Sequence, residues 1–207
     1  MKKIIKNNYE IFISEKKDWS FSFTERKDIF TDIIVPSQPH GTDIIVIEEN
    51  TDIKNLNVDG LISNRKNLAL AVKLADCNGI VFMWENYYWV VHGWWKGLKN
   101  WIIEKCIWKL SSLGEKTSNL EIFVGPSIRI CCYEVWNEFK KFFEKKYLKI
   151  YWEKIHLDMI EYIKDTLKNL WISKININPK CTKCSKDFFS YRNGNIKERF
   201  LVGIKKI

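Results

Sequence analysis

Three apolar runs follow one another almost without polar interruption: LALAVKLA at 68–75, GIVFMW at 79–84 and YYWVVH at 87–92. A strand with one wet face alternates apolar and polar residues, whereas a run without alternation belongs to a strand covered on both faces. The connection ENY is too short for anything but a turn, so the last two runs predict a hairpin at the centre of a layered molecule. The remaining chain must supply a covering layer above and below it. With 207 residues, 46% apolar and 29% charged, there is material for one substantial core and no need for a second, so residues 1–207 are expected to form a single domain.

The covering material is legible in outline. EIFIS, WSFSF, DIIVP and DIIVIEE in the first third are short strand-like runs separated by polar or glycine-containing segments. From Leu98 to Leu110 the period changes, placing Leu98, Trp101, Ile102 and Cys106 on one face of a predicted helix. LEIFVGPSI reads as another strand, stopped by Gly125-Pro126. WNEFKKFFEKKY and HLDMIEYIKDTLKNLW read as helices, the second burying Ile160, Ile163, Leu167, Leu170 and Trp171, and FFSYRN and RFLVGIKKI return to strand. Strands first and helices later, without regular βαβ alternation, predict an α+β layered domain.

The net charge of +9 is spread through Lys-rich segments with acidic residues interleaved, as in EFKKFFEKKY. That pattern describes solvated faces better than a phosphate-binding stripe, so nucleic acid is not the expected partner. The apolar run near the start breaks after a few residues, and no stretch approaches the ~20 apolar residues of a membrane span. A cytoplasmic protein with no membrane partner is expected. The six cysteines, 77, 106, 131, 132, 181 and 184, are then expected to be reduced thiols or ligands.

Three histidines occur, at 40, 92 and 156, and two of them precede glycine, in PHGTD and VHGWW. Each alone reads as an ordinary strand-end histidine, and Cys77 alone as a small core residue. Together, His40, Cys77 and His92 make a three-ligand set that would leave a zinc ion one open position. Without a metal, Cys77 could instead act as a nucleophile whose thiolate a histidine stabilises. CTKC at 181–184 has the spacing of a redox pair or half a zinc ribbon, but no second CxxC accompanies it. The adjacent Cys131 and Cys132 do not supply that spacing, so a local structural role is expected.

The ordered series QPHGTD, DGLISN, LALAVKLADCNGIVF, VVHGWWKGL, VGPSIRICCYEV, CTKCSKDFFSYRNG and FLVGI resembles the laccase-domain family. That family is also called multicopper polyphenol oxidases or purine nucleoside phosphorylases, and it includes bacterial peptidoglycan editing factors. The resemblance implies a layered α/β/β/α sandwich with mixed sheets, with His40, Cys77 and His92 as metal ligands. It also implies zinc-dependent phosphorolysis of adenosine, inosine and methylthioadenosine, with deamination of adenosine; a monomer or homodimer is expected.

By position, Lys96 stands for the family's arginine in His-Ala-Gly-Trp-Arg-Gly and Arg26 for its Ser-x-Arg, so both are expected to handle phosphate, with Cys77 and His92 at the reacting centre. Asp76 and Gln38 are candidates to orient a ligand. Cu2+ is the alternative ion, but a multicopper oxidase needs more histidines than three. The competing expectations are hydrolytic editing of peptidoglycan precursors, or a non-catalytic metal-binding or RNA-associated module. The chain departs from the pattern in lacking a Gly-Gly-Val-Ser loop after Arg26, in Gly93 and Trp94 where the family has alanine and glycine, and in Arg129-Ile130 where it has Gly-Pro.

Overall fold

In the computed structural model, residues 1–19, 32–114 and 119–207 are described. Arg26 and all but the first residue of the predicted run WSFSF fall on residues 20–31, outside them.

The central hairpin is present as predicted: β7 (Asn78–Met83) and β8 (Tyr88–Gly93) pair antiparallel, with Gly79 opposite His92 and Val81 opposite Val90. Both strands are buried along their whole length. Alternate side chains serve two cores: Ile80, Phe82, Trp89 and Val91 face one, while Val81, Met83, Tyr88 and Val90 face the other. This division is why the run shows no polar alternation.

The hairpin sits inside a six-stranded mixed sheet. Besides β7 and β8 it contains β4 (Ile44–Val46), β5 (Gly60–Ser63), β9 (Glu121–Val124) and β13 (Lys174–Ile177), in the order β13-β9-β7-β8-β5-β4. A second sheet packs on it in the order β1-β2-β14-β6-β3, built from β1 (Lys2–Lys6), β2 (Tyr9–Ile13), β3 (Ile33–Ile34), β6 (Ala69–Leu74) and β14 (Phe200–Lys206). Leu70, Val72 and Leu74 of β6 stand beside Ile204, Val202 and Phe200 of the neighbouring β14, and together they share a core with Val81, Met83, Tyr88 and Val90 of the hairpin. The approach is close at Gly79, where a Cβ would stand 2.7 Å from Leu74 and 2.9 Å from Val202.

On the other face of the six-stranded sheet lie α1 (Trp95–Lys99), α2 (Ile102–Ser112) and α3 (Met159–Asn169). Leu98, Ile102, Ile103, Cys106, Ile163 and Leu167 contribute to that core. A small sheet, β10 (Glu134–Val135), β12 (Lys154–Leu157) and β11 (Leu148–Tyr151), is the third among the described residues. The expected α+β sandwich with mixed sheets is the architecture found.

Several local expectations are corrected. The helix predicted from Leu98 is two helices, broken where Trp101 adopts a left-handed backbone (φ 66°) that leaves its indole 59% exposed. Trp171, expected in the core, is 93% exposed because the chain leaves α3 through another left-handed residue (φ 61°). WNEFKKFFEKKY forms short 3-10 turns at Asn137–Lys141 and Lys145–Tyr147. Phe139 and Phe143 are buried from it, and packing two aromatic anchors overrides helix periodicity. The start of HLDMIEYIKDTLKNLW belongs to β12, after which Asp158 caps α3 by accepting the Glu161 N–H at 3.1 Å. FFSYRN is not a strand: Phe188 and Phe189 are buried loop residues, and Tyr191–Asn193 is a 3-10 turn.

Candidate metal centre and cleft

The β7–β8 register places Cys77, just before Asn78, beside His92, because Asn78 pairs with Gly93 and Gly79 with His92. On the other side, β5 pairs with β8 so that Gly60 stands opposite Val91, bringing Asp59 alongside His92, whose N–H donates to the Asp59 carbonyl at 2.7 Å. His40 arrives on a loop before β4. Its donor atom and those of Cys77 and His92 all lie within 4.8 Å of one another. The rings of His40 and His92 meet edge to face at 4.7 Å.

Asp59 organises this triad. Fully buried, it accepts His92 Nδ1–H at 2.7 Å and His40 N–H at 3.2 Å on Oδ1, and Gly41 N–H at 2.6 Å on Oδ2. Two consecutive backbone donors aimed at one carboxylate account for the left-handed backbone of His40 (φ 64°), a conformation costing about 1 kcal/mol for a residue with a Cβ. α1 closes against the same loop, where a Cβ on Gly97 would come 2.8 Å from the Gly41 carbonyl. Because a carboxylate only accepts, a neutral His92 carries its proton on Nδ1 and presents the Nε2 lone pair to a metal.

The electrostatics suit a cation. Burial pushes the Cys77 thiol up, but the charge of His92 and hydrogen bonds with His40 and His92 prevail, bringing it from 9.0 down to about 7. For His92, burial lowers the pKa, yet the Cys77 charge and the Asp59 hydrogen bond raise it to about 9. Without a metal, the pair therefore forms a thiolate beside an imidazolium. With one, two imidazole nitrogens and a thiolate form a donor set of the kind that holds zinc with a position open. The third histidine, His156, takes no part in this: its Nδ1 is 2.7 Å from the Ile130 carbonyl, on the small sheet.

The triad lies in a cleft of about 910 Å³, within the size range of small-molecule sites. Aromatic side chains line it, among them Trp94, Trp95, Tyr133, Trp136, Phe139 and Tyr191, and so do the cations Lys73, Arg192, Lys197 and Arg199. Trp94, which departs from the family pattern, lines the cleft and packs edge-on to His40 at 5.1 Å. Lys96 does not itself line the cleft. It is exposed, with Nζ over the rings of Trp94 and Trp95 at 5.2 and 5.4 Å.

Gln38 exchanges paired hydrogen bonds with the Lys73 backbone, both 2.8 Å, a strand-end role. Asp76, left-handed at φ 94°, accepts Thr182 Oγ1–H at 2.6 Å and Arg192 N–H at 2.9 Å. It thereby ties the Cys77 loop to the cleft wall around Arg192. Sequence reasoning passed over Asp59 and Arg192, although DGLISN and FFSYRNG contain both. The available signal for Asp59 was an acid immediately before the apolar residues Gly60, Leu61 and Ile62, a position that needs a partner.

Residues 22–204 match the family model described as multi-copper polyphenol oxidoreductase laccase. A protein of Aquifex aeolicus named purine nucleoside phosphorylase is 34% identical over 197 residues, covering 95% of this chain and 92% of that one. A protein from an unidentified prokaryote named adenosine deaminase is 25% identical over 195 residues, covering 84% and 74%. The crystal structure of a Neisseria meningitidis protein superimposes with a TM-score of 0.82 at 16% identity, covering 97% of this chain and 95% of that one.

Proposed function

From the premise that the chain belongs to the multi-copper polyphenol oxidoreductase laccase family, we propose that it is a zinc-dependent purine nucleoside phosphorylase that also deaminates adenosine. The observation that carries the reading is the convergence of His40, Cys77 and His92 within 4.8 Å in an aromatic-lined cleft. The names of two relatives, one a phosphorylase and one a deaminase, support the two activities. Three histidines in the whole chain, one of them remote, argue against multicopper oxidation.

His40, Cys77 and His92 would hold the ion, which when bound would act as a Lewis acid at the open end of the set. Asp59 keeps His92 in the tautomer that presents Nε2 and locks the His40 backbone. Trp94 and Tyr133, both lining the cleft, offer flat apolar faces to a purine ring. Lys73 and Arg192, two of the cations lining the cleft, would hold an incoming phosphate. Lys96 adds positive charge from behind the Trp94 indole, and Arg26 remains the further candidate for this task. As the glycosidic bond loosens, these cations balance the phosphate's charge, and the aromatic walls exclude water that would otherwise compete.

The test is release of free base from inosine, with and without inorganic phosphate, by wild type and Cys77→Ala. Phosphate-dependent release that falls at least ~100-fold in the variant is the expected result. Undiminished release in Cys77→Ala, or release indifferent to phosphate, overturns the reading.

A further inference from the structure

Five of the six cysteines play no part in the cleft, and four of these meet at one point. Cys131 and Cys132 lie in the turn after Ile128, where Cys132 N–H and Tyr133 N–H both donate to the Arg129 carbonyl at 2.9 Å. Cys181 and Cys184 lie about fifty residues on. A parallel bridge between Ser127 and Cys181, with Thr182 N–H on the Ser127 carbonyl at 3.1 Å, lays the two segments side by side. All four sulfurs fall within 4.8 Å of one another, with Cys132 3.3 Å and Cys131 3.8 Å from Cys184.

We propose that Cys131, Cys132, Cys181 and Cys184 form a second metal site, a closed tetrathiolate centre for zinc that clamps the cleft wall. A tetrahedron with Zn–S bonds of about 2.3 Å has edges of about 3.8 Å, which is the scale of the observed separations. The Cys181–Cys184 turn has the form of a metal knuckle: Ser185 N–H donates to the Cys181 carbonyl at 2.9 Å. Four thiolates and no imidazole select a soft, tetrahedral ion, and a site with four protein ligands is structural.

The clamp has a defined load. The first segment continues into Tyr133, Val135 and Trp136, and the second into Tyr191 and Arg192, all lining the cleft. The two are also cross-linked by Arg192 Nη2 on the Glu134 carbonyl at 2.9 Å and by the Arg192 guanidinium over the Tyr133 ring. Asn193 Nδ2 reaches back to the Lys183 carbonyl at 2.7 Å. An ion held by both segments therefore fixes the spacing between the aromatic and cationic halves of the wall. The site shares no ligand with His40, Cys77 and His92.

The experiment is metal analysis of the full-length protein purified under reducing conditions, as wild type, Cys77→Ala and Cys184→Ser. Two zinc ions per chain are expected in wild type and one in each variant. If the cleft reading alone fails, wild type and Cys77→Ala both carry one ion, and Cys184→Ser carries none. Should Cys184→Ser not fold, cobalt is loaded into Cys77→Ala: a thiolate-to-cobalt charge-transfer band with the intensity of four ligands supports the site. Zinc content unchanged by Cys184→Ser, iron in place of zinc, or only two titratable thiols in the denatured wild-type chain, the mark of two disulfides, overturns the proposal.

Discussion

Replacing Asp59 by Asn keeps the volume but removes one acceptor from a group that is fully engaged. Oδ1 serves His92 Nδ1–H and His40 N–H, and Oδ2 serves Gly41 N–H at 2.6 Å. An amide has one acceptor oxygen. If that oxygen takes the Oδ1 position, the NH2 group faces the Gly41 N–H, donor against donor. If the amide is flipped, the NH2 group faces His92, which must move its proton to Nε2 and withdraw the lone pair a metal requires. Either arrangement loses a charge-assisted hydrogen bond in a fully buried place, worth about 1.5–3 kcal/mol. At roughly 1.4 kcal/mol per tenfold, cleft zinc affinity should fall about 10- to 100-fold. A chelator-competition titration reads this directly, with circular dichroism to establish that Asp59→Asn is folded. A folded variant whose zinc affinity lies within about twofold of wild type would show that His92 is not held by Asp59 in the way described.

The same site should respond to pH. With the Cys77 thiol at about 7 and His92 at about 9 in the metal-free protein, metal binding between those values must displace the His92 proton. Zinc affinity should therefore rise about tenfold per pH unit from 7 to 9 and then flatten; calorimetry in buffers of different ionisation enthalpy counts the released proton. In α2, burial raises the Glu104 carboxyl above its usual 4.5, and its Oε2 has no hydrogen-bond partner. A raised carboxyl carries no penalty below pH 4.5 and a growing one as pH climbs through the folded-state value. Glu104→Gln should thus raise the denaturation midpoint at pH 7 and lose that gain below pH 4.5; equal gains at both would refute the assignment. Phe82 is fully buried and stacked on Trp89 at 4.9 Å. Phe82→Ala should cost about 3–5 kcal/mol in urea unfolding with an unchanged slope.

The amino-acid sequence was sufficient for the hairpin, and it singled out His40, Cys77 and His92, whose donor atoms the fold brings within 4.8 Å of one another. A run from Leu68 to His92 without polar alternation can be buried only on both faces, and once β7 and β8 pair, their register alone brings Cys77 to His92. What it could not state was partnership between segments with no common motif. Asp59 lies 33 residues from His92 and meets it because β5, not β9, adjoins β8. The aromatic turns around Phe139 and Phe143 mimic a helical period until packing decides between helix and turn. A vicinal Cys131-Cys132 pair and an isolated CxxC look unrelated in one dimension. They become a four-sulfur cluster because Ser127 and Cys181 pair in parallel, and strand order, which depends on burying the whole core at once, is a property of no single segment.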